Sequence, residues 1–237
     1  MTITPATTRH RTQPTPVDDP LPRAASVLAV TARPGQESAD LGGLLYAFRR
    51  SGARLSLLSL TRGEAADCNA GSARLEAIRP WETQLAASVL GISGVAVANY
   101  PDGGLPGYPD EEPARRIVRE IRERAADLLL VVAPEAGDRA DAAVARAAEA
   151  AAAATGVPVV ASTRPGARGA WTVDLGVGTE TARAIQKSAA AAHASQSETL
   201  PATIGRLDLL GSAETLRWLQ LPEQIPVPRD SQALVTA

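Results

Sequence analysis

Ser26-Val27-Leu28-Ala29-Val30-Thr31 runs directly into Ala32-Arg33-Pro34-Gly35-Gln36-Glu37. The first six residues form an unbroken apolar run with two valines, the kind of segment that lies buried on both faces of a parallel sheet. The next six bring proline, glycine and charge, which end a strand and make a loop. Open α/β sheets place their chemistry in the loops at the carboxyl ends of the strands, so the residues at 32–37 set what this chain can do.

The pattern repeats downstream. Leu41, Leu44, Leu45 and Phe48 recur at helical spacing over 41–51 and stop at Gly52, with Gly42 and Gly43 small enough for close packing on the sheet. RLSLLSL at 54–60 reads as a second strand and Thr61-Arg62-Gly63-Glu64 as its exit loop. An amphipathic helix over 74–90, closed by Gly91, leads to a third strand at 95–99 and the turn Tyr100-Pro101-Asp102-Gly103-Gly104. A helix over 111–125, with Ile117 and Ile121 on one face, precedes DLLLVVA at 127–133, the clearest buried strand in the chain. There follow a helix over 139–154, a strand at 157–161, an edge strand at 171–175 behind a Gly- and Pro-rich stretch, and a helix over 179–194. A short helix is expected over 213–221. Strands alternating with helices, joined by connections too long for hairpins, predict a Rossmann-like, doubly wound, mostly parallel α/β sheet with right-handed crossovers.

Composition sets the frame for this fold. The 237 residues, 45% hydrophobic, suffice for one domain, expected over 23–221 between a Thr- and Pro-rich tail at 1–22 and a Pro-rich tail at 222–237, both read as unstructured. Twenty-four basic and 26 acidic residues are well mixed, which argues against nucleic acid as a partner. The single cysteine, Cys68, excludes an internal disulfide framework and reads as an ordinary thiol. The first 22 residues lack the apolar centre of a secretory signal and no apolar run spans a bilayer, so the expectation is a cytoplasmic protein with no membrane partner. Alanine-rich segments at 145–154 and 189–192 belong to longer helical patterns and offer flat faces for homo-oligomer formation.

In order and spacing, several motifs together resemble the PIG-L/LmbE-like N-acetylglucosaminyl deacetylase superfamily. They are the strand with Ala32-Arg33-Pro34-Gly35-Gln36-Glu37, then Leu41-Gly42-Gly43, Thr61-Arg62-Gly63-Glu64, Ile78-Arg79-Pro80-Trp81-Glu82, Leu90-Gly91, Tyr100-Pro101-Asp102-Gly103-Gly104 and His193-Ala194-Ser195-Gln196. The resemblance implies an LmbE-like fold and a zinc-dependent removal of N-acyl groups from glucosamine-containing substrates. It also implies a first motif His-Pro-Asp-Asp-Glu, whose His and second Asp bind zinc while the first Asp is the general base. Here Arg33, Gly35 and Gln36 stand at those positions, and only Pro34 and Glu37 match. The family's remaining zinc ligand is a His after a later strand; the corresponding stretch, about Gly137-Asp138-Arg139-Ala140-Asp141, contains none.

A catalytic zinc site takes about three His, Cys or carboxylate ligands around an open position. The chain has two histidines, His10 in the tail and His193, and Arg33 brings a fixed positive charge to the place of a cation. The expectation is therefore a divergent member with no metal cofactor and no assigned catalytic residue, a binder or partner subunit for a small polar metabolite of amino-sugar or sugar-thiol type. By resemblance, Glu64, Arg79 and Asp102 match positions around the substrate. With Arg33, Glu37 and His193 they form the candidate substrate-binding set. Two other readings stay open: an enzyme of the same fold with metal-free chemistry, and a zinc N-deacetylase with unusual ligands such as Glu37, Asp138 and His193.

Each candidate also has a purely structural explanation. Arg33 can pair with Glu37 or Asp40, Glu37 can support the first turn of a helix, and Asp102 can serve its turn. Arg79 and Glu82 are spaced for an intrahelical pair, Trp81 reads as core, and a lone helical histidine such as His193 is often held by a hydrogen bond.

Overall fold

The computed structural model describes residues 21–64, 73–135, 137–196 and 199–221, so all but the last two residues of the expected tail at 1–22, the expected tail at 222–237, and Cys68 lie outside the described residues. Five strands, β1 (Ser26–Thr31), β2 (Arg54–Thr61), β3 (Gly94–Tyr100), β4 (Leu128–Val132) and β5 (Val159–Ser162), run parallel in the order β3-β2-β1-β4-β5. Two more, β6 (Ala170–Asp174) and β7 (Ala213–Gln220), complete a seven-stranded sheet in which β7 lies antiparallel between β5 and the edge strand β6. The result is the expected α/β architecture, mostly parallel and covered on both faces.

Side-chain alternation along each strand explains why both faces are covered. Leu28 and Val30 of β1, Leu58 and Leu60 of β2, and Leu129 and Val131 of β4 join one core with α4 (Glu111–Arg124) and α5 (Arg139–Thr155). Val27 and Ala29, Leu55 and Leu57, and Leu128 and Leu130 face the opposite way, onto α2 (Gly42–Arg50), α3 (Ala73–Leu90) and α6 (Thr179–Ala191). Strands buried on two sides cannot show the polar alternation of a half-exposed sheet, hence the unbroken apolar runs. Alanines at 147, 148, 151 and 152 are fully buried on α5, where a small side chain brings helix and sheet close.

Two short elements complete the fold near the site, α1 (Gln36–Ala39) and α7 (Leu200–Asp208). No helix among the described residues is long and apolar enough to cross a membrane.

Two expectations are corrected. Residues 213–221 form a strand rather than a helix: β7 pairs with both β5 and β6, and its Trp218 packs on Trp171 with ring centroids 5.7 Å apart. Ala213, Glu214, Leu216 and Arg217 are good helix formers, but two open strand edges offer backbone hydrogen bonds that override local propensity. Trp81 is 78% exposed on α3 and is no part of the core.

Gly42 and Gly43 do permit close packing. The contacts are with Gln186 of α6 and with Arg183 and Glu214, which pair at 2.5 Å.

Candidate functional site

Because β2 and β3 lie to one side of β1 and β4 and β5 to the other, the loops leaving β1 and β4 diverge and open a crevice between them. Arg33 and Asp138 face each other there, with Arg33 Nη2 3.6 Å from Asp138 Oδ2. The expected partners Glu37 and Asp40 are thus replaced by the N-cap of α5.

Asp138 is fixed from several directions. Its Oδ1 accepts the N–H groups of Ala140 and Asp141, each at 3.0 Å. Burial works against the Asp138 charge, but the backbone N–H of Asp141, the Arg33 guanidinium and the Ala140 N–H outweigh it and hold the carboxyl below its ordinary range.

Gln36 ties the two loops together. Its Oε1 accepts the N–H groups of Ala32 at 2.9 Å and Arg33 at 3.2 Å, while its Nε2 donates to Asp141 Oδ1 at 2.8 Å. Burial pushes the Asp141 carboxyl up to about 6, although the Gln36 bond pulls it the other way. Gly35 turns the chain into α1 with φ of 98°, a conformation disfavoured for residues with a side chain. A Cβ at this position would stand 3.2 Å from the amide of Gln196, whose Nε2 donates to Pro34 O at 3.2 Å.

Behind this layer lies a buried pair. His193 Nε2 is 2.6 Å from Glu37 Oε1, with 2% and 0% of the two side chains exposed. Glu37 also accepts Ser38 Oγ at 3.0 Å and the Gly35 N–H at 2.8 Å. His193 Nδ1 is buried and has no hydrogen-bond partner among the described residues. The adjoining turn is tied to α3, where the two carboxylate oxygens of Glu82 accept the Ser195 N–H at 2.7 Å and its Oγ at 2.6 Å. Glu82 is therefore engaged with Ser195, whereas the sequence pattern pairs it with Arg79.

A cleft of about 330 Å³ opens beside these residues. Arg33, Asp40, His193, Gln196 and Arg206 line it, with Thr199 and Thr203 at the start of α7. Arg206 Nη2 donates to Asp40 Oδ1 at 3.0 Å and to Ala39 O at 3.3 Å. Burial raises the Asp40 carboxyl above its ordinary range in spite of Arg206 and the more distant Arg33.

Of the six candidate residues, Arg33 and His193 line this cleft, whereas Glu37, Glu64, Arg79 and Asp102 are not among its lining residues. Arg79 is fully buried, with Nη1 3.3 Å from the point where a Cβ on Gly63 would stand. Glu64 Oε1 accepts the Asp102 N–H at 2.9 Å, which joins the exit loops of β2 and β3. Arg206 carries no motif and only its contact across the fold identifies it; Asp40 entered the sequence reading as a possible partner of Arg33 and Asp141 as the last residue of the stretch at 137–141, neither as a site residue. Gln196 lies inside a quoted motif, so its position was available from the sequence. Among the described residues no group of three or more His, Cys, Asp or Glu is placed to hold a metal ion, and Glu37, Asp138 and His193 form no such group.

Fold and site define a doubly wound α/β protein with a polar cleft between the loop after β1, the end of α6 and the start of α7. The family model described as GlcNAc-PI de-N-acetylase, PIG-L, matches residues 28–154, and the chain belongs to that family. It is 29% identical over 137 residues to a 1D-myo-inositol 2-acetamido-2-deoxy-alpha-D-glucopyranoside deacetylase of Catenulispora acidiphila, a match covering 47% of this chain and 45% of that relative. The match thus spans less than half the length of that curated relative.

Among solved structures, a conserved protein of Thermus thermophilus superposes with a TM-score of 0.63 at 21% identity, covering 86% of this chain and 97% of the other. The N,N'-diacetylchitobiose deacetylase of Pyrococcus horikoshii gives 0.63 at 16% identity, covering 92% and 91%. The 4-carboxy-2-hydroxymuconate hydratase of Pseudomonas putida KT2440 gives 0.59 at 17% identity, covering 86% and 98%. At these identities the likeness is one of fold, and the fold carries more than one chemistry.

Proposed function

We propose that this chain is a divergent PIG-L family protein that binds a small polar metabolite, of amino-sugar-like class, in the cleft between the loop after β1 and the start of α7, without a zinc ion. The observation that carries the reading is Gln36, at the position where the family resemblance places a zinc ligand. Its amide is committed to Ala32, Arg33 and Asp141, and a neutral amide is a poor substitute for a carboxylate ligand.

The neighbouring residues support the same reading and do not fit a zinc ion. Arg33 adds a permanent positive charge, Asp138 is spent on the N-terminus of α5, and Glu37 and His193 hold each other. Gly35 at the position of the family's general base has no group to take a proton. The substrate class is carried over by analogy with the deacetylases that the chain resembles.

A second reading, a metal-free enzyme, draws on His193. A buried imidazole that is bonded to a carboxylate at one nitrogen, lacks a partner for the other among the described residues and belongs to a residue lining the cleft is suited to exchange a proton with a bound molecule.

Two measurements on the full chain test the proposal. Elemental analysis of protein purified in zinc-supplemented medium is expected to find well under one zinc per chain. Thermal-shift titration with glucosamine and N-acetylglucosamine derivatives in the presence of EDTA is expected to show stabilisation by mass action. Stoichiometric zinc, or a zinc-dependent N-deacetylase activity, would overturn it.

A further inference from the structure

Arg33 and Arg206 approach the cleft from the two ends of α1, a helix of a single turn. Among the described residues both retain donors without a partner. The Arg33 contact with Asp138 at 3.6 Å is longer than a hydrogen bond, and among those residues Arg206 commits only Nη2, to Asp40 and Ala39. Asp138 Oδ1 takes the first N–H groups of α5 and its Oδ2 faces Arg33 from 3.6 Å, a loose pair that leaves part of the guanidinium edge open.

A third positive element meets them. The nine-residue helix α7 starts at the cleft, and its N-cap Thr199 makes no side-chain cap bond: the hydroxyl turns back to Gln196 O at 3.2 Å. Pro201 has no N–H and the Thr203 N–H is bonded to Thr199 O, so this helix start offers the N–H groups of Leu200 and Ala202 and the positive end of the helix dipole. The fourth element is His193 Nδ1, a buried polar atom with no partner among the described residues on a residue that lines the same cleft. Such an atom is costly unless a bound molecule or water satisfies it.

We infer that the cleft takes a hydroxylated acid, a sugar carboxylate or sugar phosphate. Its anionic group lies between Arg33, Arg206 and the start of α7, and its hydroxyls lie on the His193 side of the cleft. Guanidinium groups with free donor edges are suited to carboxylate and phosphate oxygens, which they bind through paired, charge-assisted hydrogen bonds. A neutral sugar would leave the open donor edges of the two arginines, and the helix start, unused. Among the described residues that line the cleft, Asp40 is the one carboxylate, and it is paired with Arg206. The volume of about 330 Å³ suits a molecule the size of a monosaccharide acid.

This inference rests on the reading of the cleft as a metal-independent binding site, and the test separates the two. Wild-type protein in EDTA is titrated calorimetrically with glucuronate and glucosamine 6-phosphate, and with glucose and N-acetylglucosamine as neutral probes. The acids are expected to bind at least tenfold more tightly than the neutral sugars. Arg33→Met and Arg206→Met are each expected to lose at least that tenfold, whereas Arg122→Met, an exposed arginine of α4 on the other face of the sheet, retains it.

Arg206 is more than half exposed, so its variant stays informative if Arg33→Met folds poorly. Tighter binding of the neutral sugars overturns the acid inference and leaves the binding reading standing. Binding of the acids that both cleft variants retain places them elsewhere and also overturns it. No binding by any probe overturns the inference and the reading together. Loss with the carboxylate alone or the phosphate alone identifies which acid the site takes.

Discussion

Replacing Asp141 by Asn should stabilise the protein at neutral pH, an unusual result for a buried, hydrogen-bonded residue. Asp141 is 6% exposed, and burial raises its carboxyl from 3.8 to about 6. Between these values the folded protein holds the proton more tightly than the unfolded chain, so stability falls as pH rises through the window. The full cost is present above about pH 6 and absent well below pH 4. The offset from 3.8 to about 6 corresponds to at most about 3 kcal/mol.

Asn keeps an amide oxygen to accept the Gln36 Nε2 bond, now 2.8 Å long, and carries no charge to bury. It gives up the favourable placement of a carboxylate in the first turn of α5, about 0.5 kcal/mol. The net expectation is about 2 kcal/mol of stabilisation at pH 7.5, shrinking to about 0.5 kcal/mol near pH 4. Guanidinium unfolding of both proteins at several pH values reads the difference directly, because titrations common to the two cancel. A variant less stable than the wild type at pH 7.5, or a difference independent of pH, would refute the reasoning about Asp141.

Four further outcomes are expected. Gln36→Ala removes three hydrogen bonds, two of them buried and one to a carboxylate, and should lower the unfolding free energy by about 3–5 kcal/mol, read from the denaturation midpoint. His193→Ala strips Glu37 of its buried partner and should cost about 3 kcal/mol or more, whereas Glu37→Gln, which preserves shape, should cost less; equal losses would argue against the pairing. Ala125, the sole non-glycine with positive φ among the described residues, closes α4 at φ 48°, so Ala125→Gly should raise stability by about 0.5 kcal/mol in the same assay. Trp81→Ser, at an exposed site, should change stability by no more than about 0.5 kcal/mol, and a larger loss would reveal a contact that the described residues lack.

Local chemistry wrote much of this fold into the sequence. The apolar runs that became β1, β2 and β4 are legible because a strand buried on both faces has no polar side to show, and α2, α4 and α5 because their apolar residues recur each turn. β7 was not legible: its helix-forming residues became a strand through pairing with β5 and β6, partners more than 35 residues away in the chain. α7 was missed because Pro201 and Gly205 interrupt its helical pattern, although proline near a helix start is well tolerated.

The site divides along the same line. Motif order alone brought Arg33, Gly35, Gln36 and His193 to notice, because those residues occupy fixed places along the chain. The use made of them depends on contacts between distant segments: Gln36 with Asp141 across 105 positions, Glu37 with His193 across 156, and Asp40 with Arg206 across 166. No periodicity or spacing encodes such a pairing, since it forms only when the sheet has brought the loops after β1 and β4 and the start of α7 to one crevice. The residue types were therefore set in the sequence, while folding fixed their burial, partners and charge, and with them which remain available to a ligand.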